Sequence, residues 1–322
     1  MERNVIMKKL LVAGGSYFIG RKIVDIMMAA GYDVYTLNRG TVPPPCNVTN
    51  LACDRNDPLA MREVLKDKQF SVIIDVSGLN RTQAEILCDC VDIKSLKKFV
   101  FISSSAVYDI ENLAVPFKET DPLGCNKYWT DYGQNKIEAE DCYAGSFHGT
   151  QKVFLRPAYV FGENNYAQRE SFVFEHLVSG KQLLIPATNP KLQFIYAGDF
   201  ANIILRLLDI NLGELSIFNV GNHKPVTARE WVEHCAAAVG LDVDIILYDY
   251  LAAGWESRDF FPFYDYDNVL DVAKLRSVIQ YETDFEQNLR AAYGWFLKNR
   301  GSIVFKGHVA KNEETILRTL AK

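Results

Sequence analysis

The sequence lacks the features that mark several classes of protein. Its 322 residues include no apolar run close to the ~20 residues that span a membrane, and its start shows no signal-peptide cleavage pattern. The seven cysteines contain no C-x-x-C pair, and the five histidines form no H-E-x-x-H motif. We therefore expect a cytoplasmic protein with reduced thiols, no disulfide framework and no metal site.

Charge of one sign is not in excess either. Lys and Arg number 35 against 40 Asp and Glu, which gives a formal net charge of −5. This balance provides no general attraction to nucleic-acid phosphates or to anionic membranes. Nucleic acid and membrane are therefore not expected partners.

Strand-like and helix-like segments alternate through the first half of the chain. The predicted strands are 9–13, 33–37, 48–53, 70–76, 99–103 and 153–155, and the predicted helices are 18–30, 58–66, 82–91 and 131–143. This alternation favours right-handed crossovers and a parallel sheet with helices on both faces. The predicted fold class is α/β, a doubly wound parallel sheet of the nucleotide-binding (Rossmann) type.

After residue 157 the pattern becomes irregular. Thr227 and Glu230 have the spacing of a helix capping box, and a last long helix begins at Asp284. We predict a dinucleotide-binding domain of residues 1–165, to which 195–222 return, and a smaller C-terminal substrate lobe of 166–194 and 223–322. Such a lobe is expected to close over the carboxyl edge of the sheet, where these folds bind ligands.

Aromatic residues are concentrated late in the chain, where they either line a substrate pocket or form the core of the lobe or a subunit contact. They are Trp255, Phe260, Phe261, Phe263, Tyr264 and Tyr266. Core or contact is the more typical role of such a cluster.

A glycine-rich turn, GGSYFIG, follows the first strand and opens the first helix, as a dinucleotide-binding fingerprint requires. Tyr17 stands where the middle glycine is expected, but its side chain can project away if its φ is negative. The expected cofactor-binding residues of the turn are Gly14, Gly15, Ser16, Tyr17, Phe18, Ile19 and Gly20. The alternative is a glycine-rich turn that binds nothing.

Two strand ends bear on the choice of cofactor. The second strand ends in Asn38 and Arg39 rather than in the carboxylate that bonds the ribose of NAD, so the sequence leans to NADP, with Arg39 pairing with the 2′-phosphate. Arg39 as a solvated loop residue is the alternative. Asp54 and Arg55 end the third strand at the depth where the adenine ring of a cofactor would lie, and Asp54 can accept a bond from the adenine amine. A turn-forming Asp54 is an equally typical alternative.

Tyr132 and Lys136 carry the clearest chemical signal. Because they are four residues apart on a predicted helix, they share a face. A cationic Lys136 favours the phenolate of Tyr132, which makes the tyrosine a candidate general base. Ser104, at the end of the fifth strand, is a candidate to bond the same substrate oxygen. A surface helix without catalytic function is the alternative.

The chain resembles the extended short-chain dehydrogenase/reductase superfamily, in its NAD-dependent epimerase/dehydratase branch. The segments that carry the resemblance are FISSSAVYD, YGQNK, LRPAYVFGENN and FIYAGD. It implies Ser104, Tyr132 and Lys136 as catalytic residues, and homodimers are common in the superfamily. It further implies that residues beside Ser104 and at two other strand ends line the cofactor: Val76, Ser77, Gly78, Ser103, Pro157 and Ala158.

Three departures from the family pattern limit what is implied. Ser105 and Ala106 stand where 4,6-dehydratases carry an acidic pair, which disfavours a dehydratase. Leu192 stands where many sugar-nucleotide epimerases carry an arginine for the diphosphate, with Lys191 or Arg258 as substitutes. The large residue in the glycine turn is similar to that of an atypical subgroup, which includes chloroplast stem-loop RNA-binding proteins.

The resemblance implies an NAD(P)-dependent epimerase or related oxidoreductase acting on a sugar-like, nucleotide-linked small molecule. A simple NADP-dependent carbonyl reductase is an alternative that the residues do not separate from it. An RNA-binding protein and a cofactor-binding regulator without turnover are alternatives of other classes. The net charge and the presence of Ser104, Tyr132 and Lys136 argue against RNA binding.

Overall fold

A computed structural model describes residues 8–321 of the chain. The strands are β1 (Lys9–Ala13), β2 (Asp33–Asn38), β3 (Thr49–Ala52), β4 (Val72–Asp75), β5 (Lys98–Ile102), β6 (Gln151–Pro157), β7 (Tyr159–Phe161), β8 (Leu183–Pro186), β9 (Lys191–Leu192), β10 (Phe194–Tyr196), β11 (Leu215–Val220), β12 (Val226–Thr227) and β13 (Ile245–Tyr248). The α-helices are α1 (Phe18–Ala29), α2 (Pro58–Leu65), α3 (Arg81–Cys90), α4 (Thr130–Ala144), α5 (Glu170–Val178), α6 (Ala197–Leu208), α7 (Ala228–Val239), α8 (Ala273–Val278), α9 (Phe285–Asn299) and α10 (Gly307–Leu320).

The main sheet has seven strands in the order β11-β6-β5-β4-β1-β2-β3. Every neighbouring pair in it runs parallel. The prediction of a doubly wound parallel sheet is therefore confirmed. The strand order reverses beside β1, which has β2 on one side and β4 on the other. Folds of this type bind ligands at such a switch point, outside the carboxyl ends of the strands.

Burial on both faces explains why the central strands read as continuous apolar runs. Every residue of β4 and β5 is buried, because helices cover both faces of a parallel sheet. The apolar stripe of α1 buries Ile23, Val24 and Met27. The predicted elements of the first half are present, with ends that differ by one or two residues, as for α4.

Two compact units divide the chain. Of the described residues, the first unit comprises those up to Ala158 with Ala197–Gly221 and Leu270–Tyr281, and the second comprises Tyr159–Tyr196, Asn222–Val269 and those from Glu282 onward. The predicted domains place 270–281 in the lobe and 159–165, 195–196 and 222 in the dinucleotide-binding domain, and the two units group these residues the other way. The Asp271 N–H donates to the Phe117 carbonyl at 2.8 Å, and Asn219 Nδ2 donates to the Asp271 carbonyl at 3.3 Å. These bonds join the segment to the first unit.

The second unit is built from short strand pairs around aromatic side chains. Its pairs are β7 with β10, β8 with β13, and β9 with β12. Phe260, Phe261 and Phe263 are at most 1% exposed, as expected for core residues. Among the described residues, no helix has the length and apolar character needed to cross a membrane, and no group of His, Cys, Asp or Glu could hold a metal ion.

Candidate cofactor and catalytic site

The predicted catalytic and cofactor-binding residues all belong to the first unit. They follow β1 to β5 or lie on α4, except for Pro157 and Ala158 at the end of β6. Because parallel strands end at the same edge of a sheet, the fold brings residues from distant parts of the chain to this edge.

The turn after β1 accommodates Tyr17 without strain at that residue. Tyr17 has a φ of −132°, which is extended backbone, and its side chain is 54% exposed. A glycine is therefore not required at this position. The next residue, Phe18, has a φ of 44°, in the region that favours glycine. The strained position of the turn thus lies one residue after the missing glycine.

Close approach explains the other glycines of the turn. A Cβ on Gly20 would lie 1.9 Å from the Gly14 carbonyl oxygen, and a Cβ on Gly14 would lie 2.6 Å from the Ser77 Cβ. A Cβ on Gly15 would lie 2.6 Å from the Thr36 side chain. The first turn of α1, within the described residues, contains no acidic side chain, and Tyr17 does not cap it. This helix N-terminus therefore suits the pyrophosphate of a dinucleotide.

Asn38 is the last residue of β2, and Arg39 and Asp54 lie in the turns after β2 and β3. Asn38 Oδ1 accepts a hydrogen bond from the Gly40 N–H at 2.8 Å, while Arg39 is exposed. Asp54 Oδ1 accepts from the N–H and side-chain amide of Asn56, and these bonds lower the pKa of Asp54, with a smaller contribution from the charge of Arg39. Asp54 therefore has the local bonding of a turn residue.

Arg55 is buried and pairs with a carboxylate whose importance the sequence analysis missed. Its two terminal nitrogens bond the Asp75 oxygens at 2.8 and 3.0 Å, and Nη1 also bonds Ser77 Oγ at 2.6 Å. The Tyr143 hydroxyl donates to Asp75 Oδ2 at 2.5 Å. A signal was available, because Asp75 is an acid within the apolar strand sequence FSVIIDV. Burial raises the pKa of Asp75, but the charge and bonds of Arg55 outweigh it, and the net shift is downward.

The loop after β4 lies beside the glycine turn. The N–H groups of Val76 and Ser77 both donate to the Ala13 carbonyl, at 2.9 and 3.2 Å. The Gly78 N–H donates to Asp75 Oδ1 at 2.9 Å. Farther along the edge, the Ala158 N–H, just after Pro157, donates to the Val220 carbonyl at 2.9 Å.

Ser103 and Ser104 follow β5 directly. Ser103 is 3% exposed, and within the described residues its Oγ has no hydrogen-bond partner. Ser104 Oγ accepts a bond from the Ala106 N–H at 3.1 Å. Gly133 allows α4 to approach this turn, because a Cβ there would lie 2.4 Å from the Ala106 carbonyl oxygen. The residue after Tyr132 thus seats the helix against the turn that begins at Ser104.

Tyr132 and Lys136 lie one turn apart on α4 in contrasting surroundings. The Tyr132 side chain is 39% exposed, whereas Lys136 is 2% exposed. Lys136 Nζ donates to the carbonyls of Gly78 and Ile102 at 2.6 and 2.7 Å. Burial lowers the pKa of Lys136 to about 8, against the opposing effect of Asp75. The lysine therefore joins α4 to the ends of β4 and β5, and its pKa lies near neutrality.

These residues fit a bound dinucleotide. In the described part of the chain, the turn leaves no room for a Cβ at Gly14, Gly15 or Gly20, and the first turn of the helix after it carries no acidic side chain. Lys136 holds its ammonium group at the edge beside the loop after β4. A nicotinamide dinucleotide would be held by the turn, by the loop of Val76 to Gly78 and by Lys136, with the partly exposed Tyr132 one helical turn from the lysine.

A cavity of about 200 Å³ lies within the second unit. Its described lining includes Phe172, Phe261, Arg258 and Lys306, and none of the predicted catalytic residues. Arg258 Nη1 donates to the Pro262 carbonyl at 2.9 Å, and its charge adds to burial in lowering the pKa of Lys306. Two cations therefore act on each other at the wall of this cavity.

Residues 10–221 match a known family. The model of the NAD dependent epimerase/dehydratase family matches residues 10–221. Among characterised proteins, the chain is 24% identical over 296 residues to the chloroplast stem-loop binding protein of 41 kDa b of Arabidopsis thaliana, a match that covers 87% of this chain and 76% of that protein.

Solved structures share the fold over almost the whole chain. The Bordetella bronchiseptica enzyme WbmH, in complex with NAD+, has a TM-score of 0.75 at 17% identity, with 91% of this chain and 99% of that chain covered. The UDP-glucose 4-epimerase of Thermotoga maritima, with UDP-glucose, has a TM-score of 0.73 at 19% identity, with the same coverage.

The family match spans the glycine turn, the buried lysine and the tyrosine beside it, and it extends over more than half of the described chain. The protein is therefore an enzyme that belongs to the NAD-dependent epimerase/dehydratase family.

Proposed function

We propose that the enzyme uses Ser104, Tyr132 and Lys136 to oxidise, through NAD(P), a hydroxyl-bearing carbon of a sugar-like substrate, and that it returns the hydride to the other face as an epimerase. The observation that carries the proposal is the position of Lys136, whose Nζ bonds the Ile102 carbonyl two residues before Ser104. This contact brings the helix of Tyr132 to the strand end of Ser104.

The roles follow from the surroundings of each side chain. The Tyr132 oxygen takes the proton of the substrate hydroxyl, and Ser104 Oγ bonds the same substrate oxygen. Lys136, as an ammonium, binds the cofactor ribose and stabilises the phenolate of Tyr132. The bound nicotinamide supplies the hydride acceptor. The proton returns from Tyr132 to the oxygen when the carbon is reduced again.

A nucleotide-linked sugar is the substrate class that we favour. The structure of the Thermotoga maritima UDP-glucose 4-epimerase, which shares this fold, has UDP-glucose bound. Leu192 is fully buried here and cannot hold a diphosphate, and Lys191 is exposed. Arg258 and Lys306 line the cavity of the second unit, where the charge of Arg258 adds to burial in lowering the pKa of Lys306, and they are the cations that we assign to the diphosphate.

NADP rather than NAD is the cofactor that Arg39 supports. The arginine is exposed after β2 and is not held by an ion pair within the described residues. Calorimetric titration with NAD⁺ and NADP⁺, of the wild type and of Arg39→Gln, tests this part. NADP⁺ should bind more tightly to the wild type, and Arg39→Gln should remove that preference. Equal affinities for NAD⁺ and NADP⁺ in both proteins would show that Arg39 is a solvated loop residue that does not select the cofactor.

Catalysis is tested with a panel of UDP-sugars and of free sugars. The wild type should interconvert one epimer pair without net change in the nicotinamide absorbance, and Tyr132→Phe should lower kcat by about 10²–10⁴-fold while it retains cofactor binding. Net absorbance change would favour the carbonyl reductase. Full activity of Tyr132→Phe would exclude the proposed base.

RNA binding is a second candidate because of the 24% identity to the chloroplast stem-loop binding protein. Its test is retention of a stem-loop RNA at increasing salt, since phosphate contacts weaken as salt rises. The homodimer and the cytoplasmic location remain predictions, and light scattering of the purified protein tests the first.

A further inference from the structure

Three buried side chains form a network beneath the loop that follows β4. Asp75 is fully buried, Tyr143 is fully buried and Arg55 is 9% exposed. One carboxylate oxygen of Asp75 accepts from Arg55 and from the N–H groups of Ser77 and Gly78, at 2.8, 3.2 and 2.9 Å. The other oxygen accepts from Arg55 and from the Tyr143 hydroxyl. The two oxygens of the carboxylate therefore accept five hydrogen bonds in all.

The network reaches Lys136 through the backbone. Asp75 fixes the Gly78 N–H, and the carbonyl of that same Gly78 accepts the Lys136 ammonium at 2.6 Å. A Cβ on Gly78 would lie 2.3 Å from Asp75 Oδ2, so the loop is packed directly on the carboxylate. If Asp75 moves, the Gly78 peptide is expected to move with it, and the Gly78 carbonyl is one of the two that bind the Lys136 ammonium group.

We propose that the buried pair of Asp75 and Arg55 positions Lys136 and sets how firmly the lysine holds its proton. The proposal rests on the proposed function only in giving Lys136 a role at the cofactor. Asp75 and Arg55 are positioning residues, because they act through the loop and through charge.

The charges around Lys136 have opposite effects. Its pKa is lowered first by burial, then raised by Asp75, lowered by Arg55 and raised by Glu140, which is itself paired with Arg156 at 2.6 Å. The Phe101 ring, 4.6 Å from Nζ at its centroid, is the apolar neighbour. Glu140 lies on the same helix, whereas Asp75 and Arg55 reach the lysine from the sheet. The pair therefore supplies the two opposing charges from outside α4.

Two variants of the pair should therefore shift the pKa of Lys136 in opposite directions. Asp75→Asn keeps one acceptor oxygen for the N–H groups of the loop but removes the negative charge and leaves Arg55 to repel the lysine, so Lys136 should lose its proton at lower pH. Arg55→Gln leaves the carboxylate, which is still bonded by Tyr143 and two N–H groups, so Lys136 should keep its proton to higher pH. A nearby charge moves a buried pKa by about one to three units.

The experiment follows the protonation of Lys136 directly, in the full chain labelled with ¹³C at the lysine Cε. The signal is assigned with Lys136→Arg, and its chemical shift is recorded from pH 6 to pH 10. The wild-type midpoint should lie near pH 8, with Asp75→Asn about one unit or more below it and Arg55→Gln above it. The midpoint for NADH binding, read by fluorescence, should move in the same two directions.

Ser77→Ala is the matched control. It removes the 2.6 Å contact of Arg55 with Ser77 Oγ without changing any charge, so it should alter stability but leave the Lys136 midpoint in place. Midpoints that move in the same direction in Asp75→Asn and Arg55→Gln, or in neither, would overturn the proposal. If Asp75→Asn does not fold, the direction of the shift in Arg55→Gln decides.

The two readouts separate this proposal from the proposed function. Opposite shifts of the lysine signal without NADH binding would support the positioning pair and refute the oxidoreductase site. NADH binding with an unmoved lysine signal would retain the site and refute the pair.

Discussion

Two kinds of buried contact, a charge pair in the first compact unit and an aromatic stack in the second, show what each contributes to a fold. The first unit buries charges as pairs, with Arg55 on Asp75 and Arg156 on Glu140 at 2.8 and 2.6 Å. In the second unit the rings of Phe194 and Trp231 stack at 3.9 Å between centroids. The first arrangement fixes the direction of its groups, because a charge-assisted pair has a defined geometry. The second supplies apolar area, which stabilises without fixing direction.

The same contrast appears in a carboxylate of the second unit. Glu170 is 3% exposed, and its oxygens accept from the Gly162 N–H and from Asn165 Nδ2, both at 2.9 Å. Burial raises the pKa of Glu170 to about 7. A buried acid that hydrogen-bonding dipoles hold is thus protonated near neutrality, whereas Asp75, paired with Arg55, stays ionised.

The largest expected effect comes from breaking a charge pair of the first unit. Glu140→Gln leaves the Arg156 guanidinium buried without its carboxylate, and we expect a loss of about 3–5 kcal/mol in the free energy of unfolding. Urea denaturation at pH 7 measures it. A loss below about 1 kcal/mol would show that the pair behaves like a surface ion pair.

In the second unit, Glu170→Gln should change the pH dependence of the free energy of unfolding. Because the folded pKa of about 7 lies above the ordinary value of 4.5, the wild-type contribution is complete below pH 4.5 and is lost as pH rises to about 7. The loss amounts to about 3 kcal/mol at most. The variant should lack this pH dependence, as urea denaturation at several pH values would show. An unchanged slope between pH 5 and 7 would contradict the raised pKa.

Two helical glycines sharpen the comparison further. Gly20→Ala in α1 places a Cβ 1.9 Å from the Gly14 carbonyl, and we expect a destabilisation of about 3 kcal/mol or more with loss of cofactor binding. Gly294→Ala in α9 is the matched control, since no described atom outside its own stretch of helix lies within 4 Å of its added Cβ. It should stabilise by about 0.5–1 kcal/mol. Equal changes in stability in Gly20→Ala and Gly294→Ala would show that close packing at Gly20 is not the cause of its destabilisation.

The smallest expected effect is at the capping box of α7. Thr227 Oγ1 accepts from the Glu230 N–H at 3.2 Å, and the Thr227 N–H donates to Glu230 Oε2 at 2.7 Å. Thr227→Ala should cost about 1 kcal/mol, and Thr227→Ser should cost little because it keeps the hydroxyl. Thermal unfolding of the three proteins provides the test. A loss in Thr227→Ser as large as in Thr227→Ala would assign the effect to the methyl group.

Sequence reasoning succeeded where the signal is local. The alternation of strands and helices predicted the parallel sheet, and the Thr227 and Glu230 spacing predicted the cap that the structure shows. It did not predict the two-residue strands β9 and β12, because such short pairings depend on partners that are distant in the chain. The inclusion of 270–281 in the first unit depends on Phe117 for the same reason.

The sequence by itself determined the glycine turn, the positions of Ser104, Tyr132 and Lys136, and the family to which they point, because these follow from residue types at fixed spacings. Only the tertiary structure decided what Arg55 does. It stands beside Asp54 in the chain, yet its side chain turns inward to Asp75, 20 residues away, because a buried carboxylate and a guanidinium stabilise each other more than either is stabilised by the surrounding apolar strands.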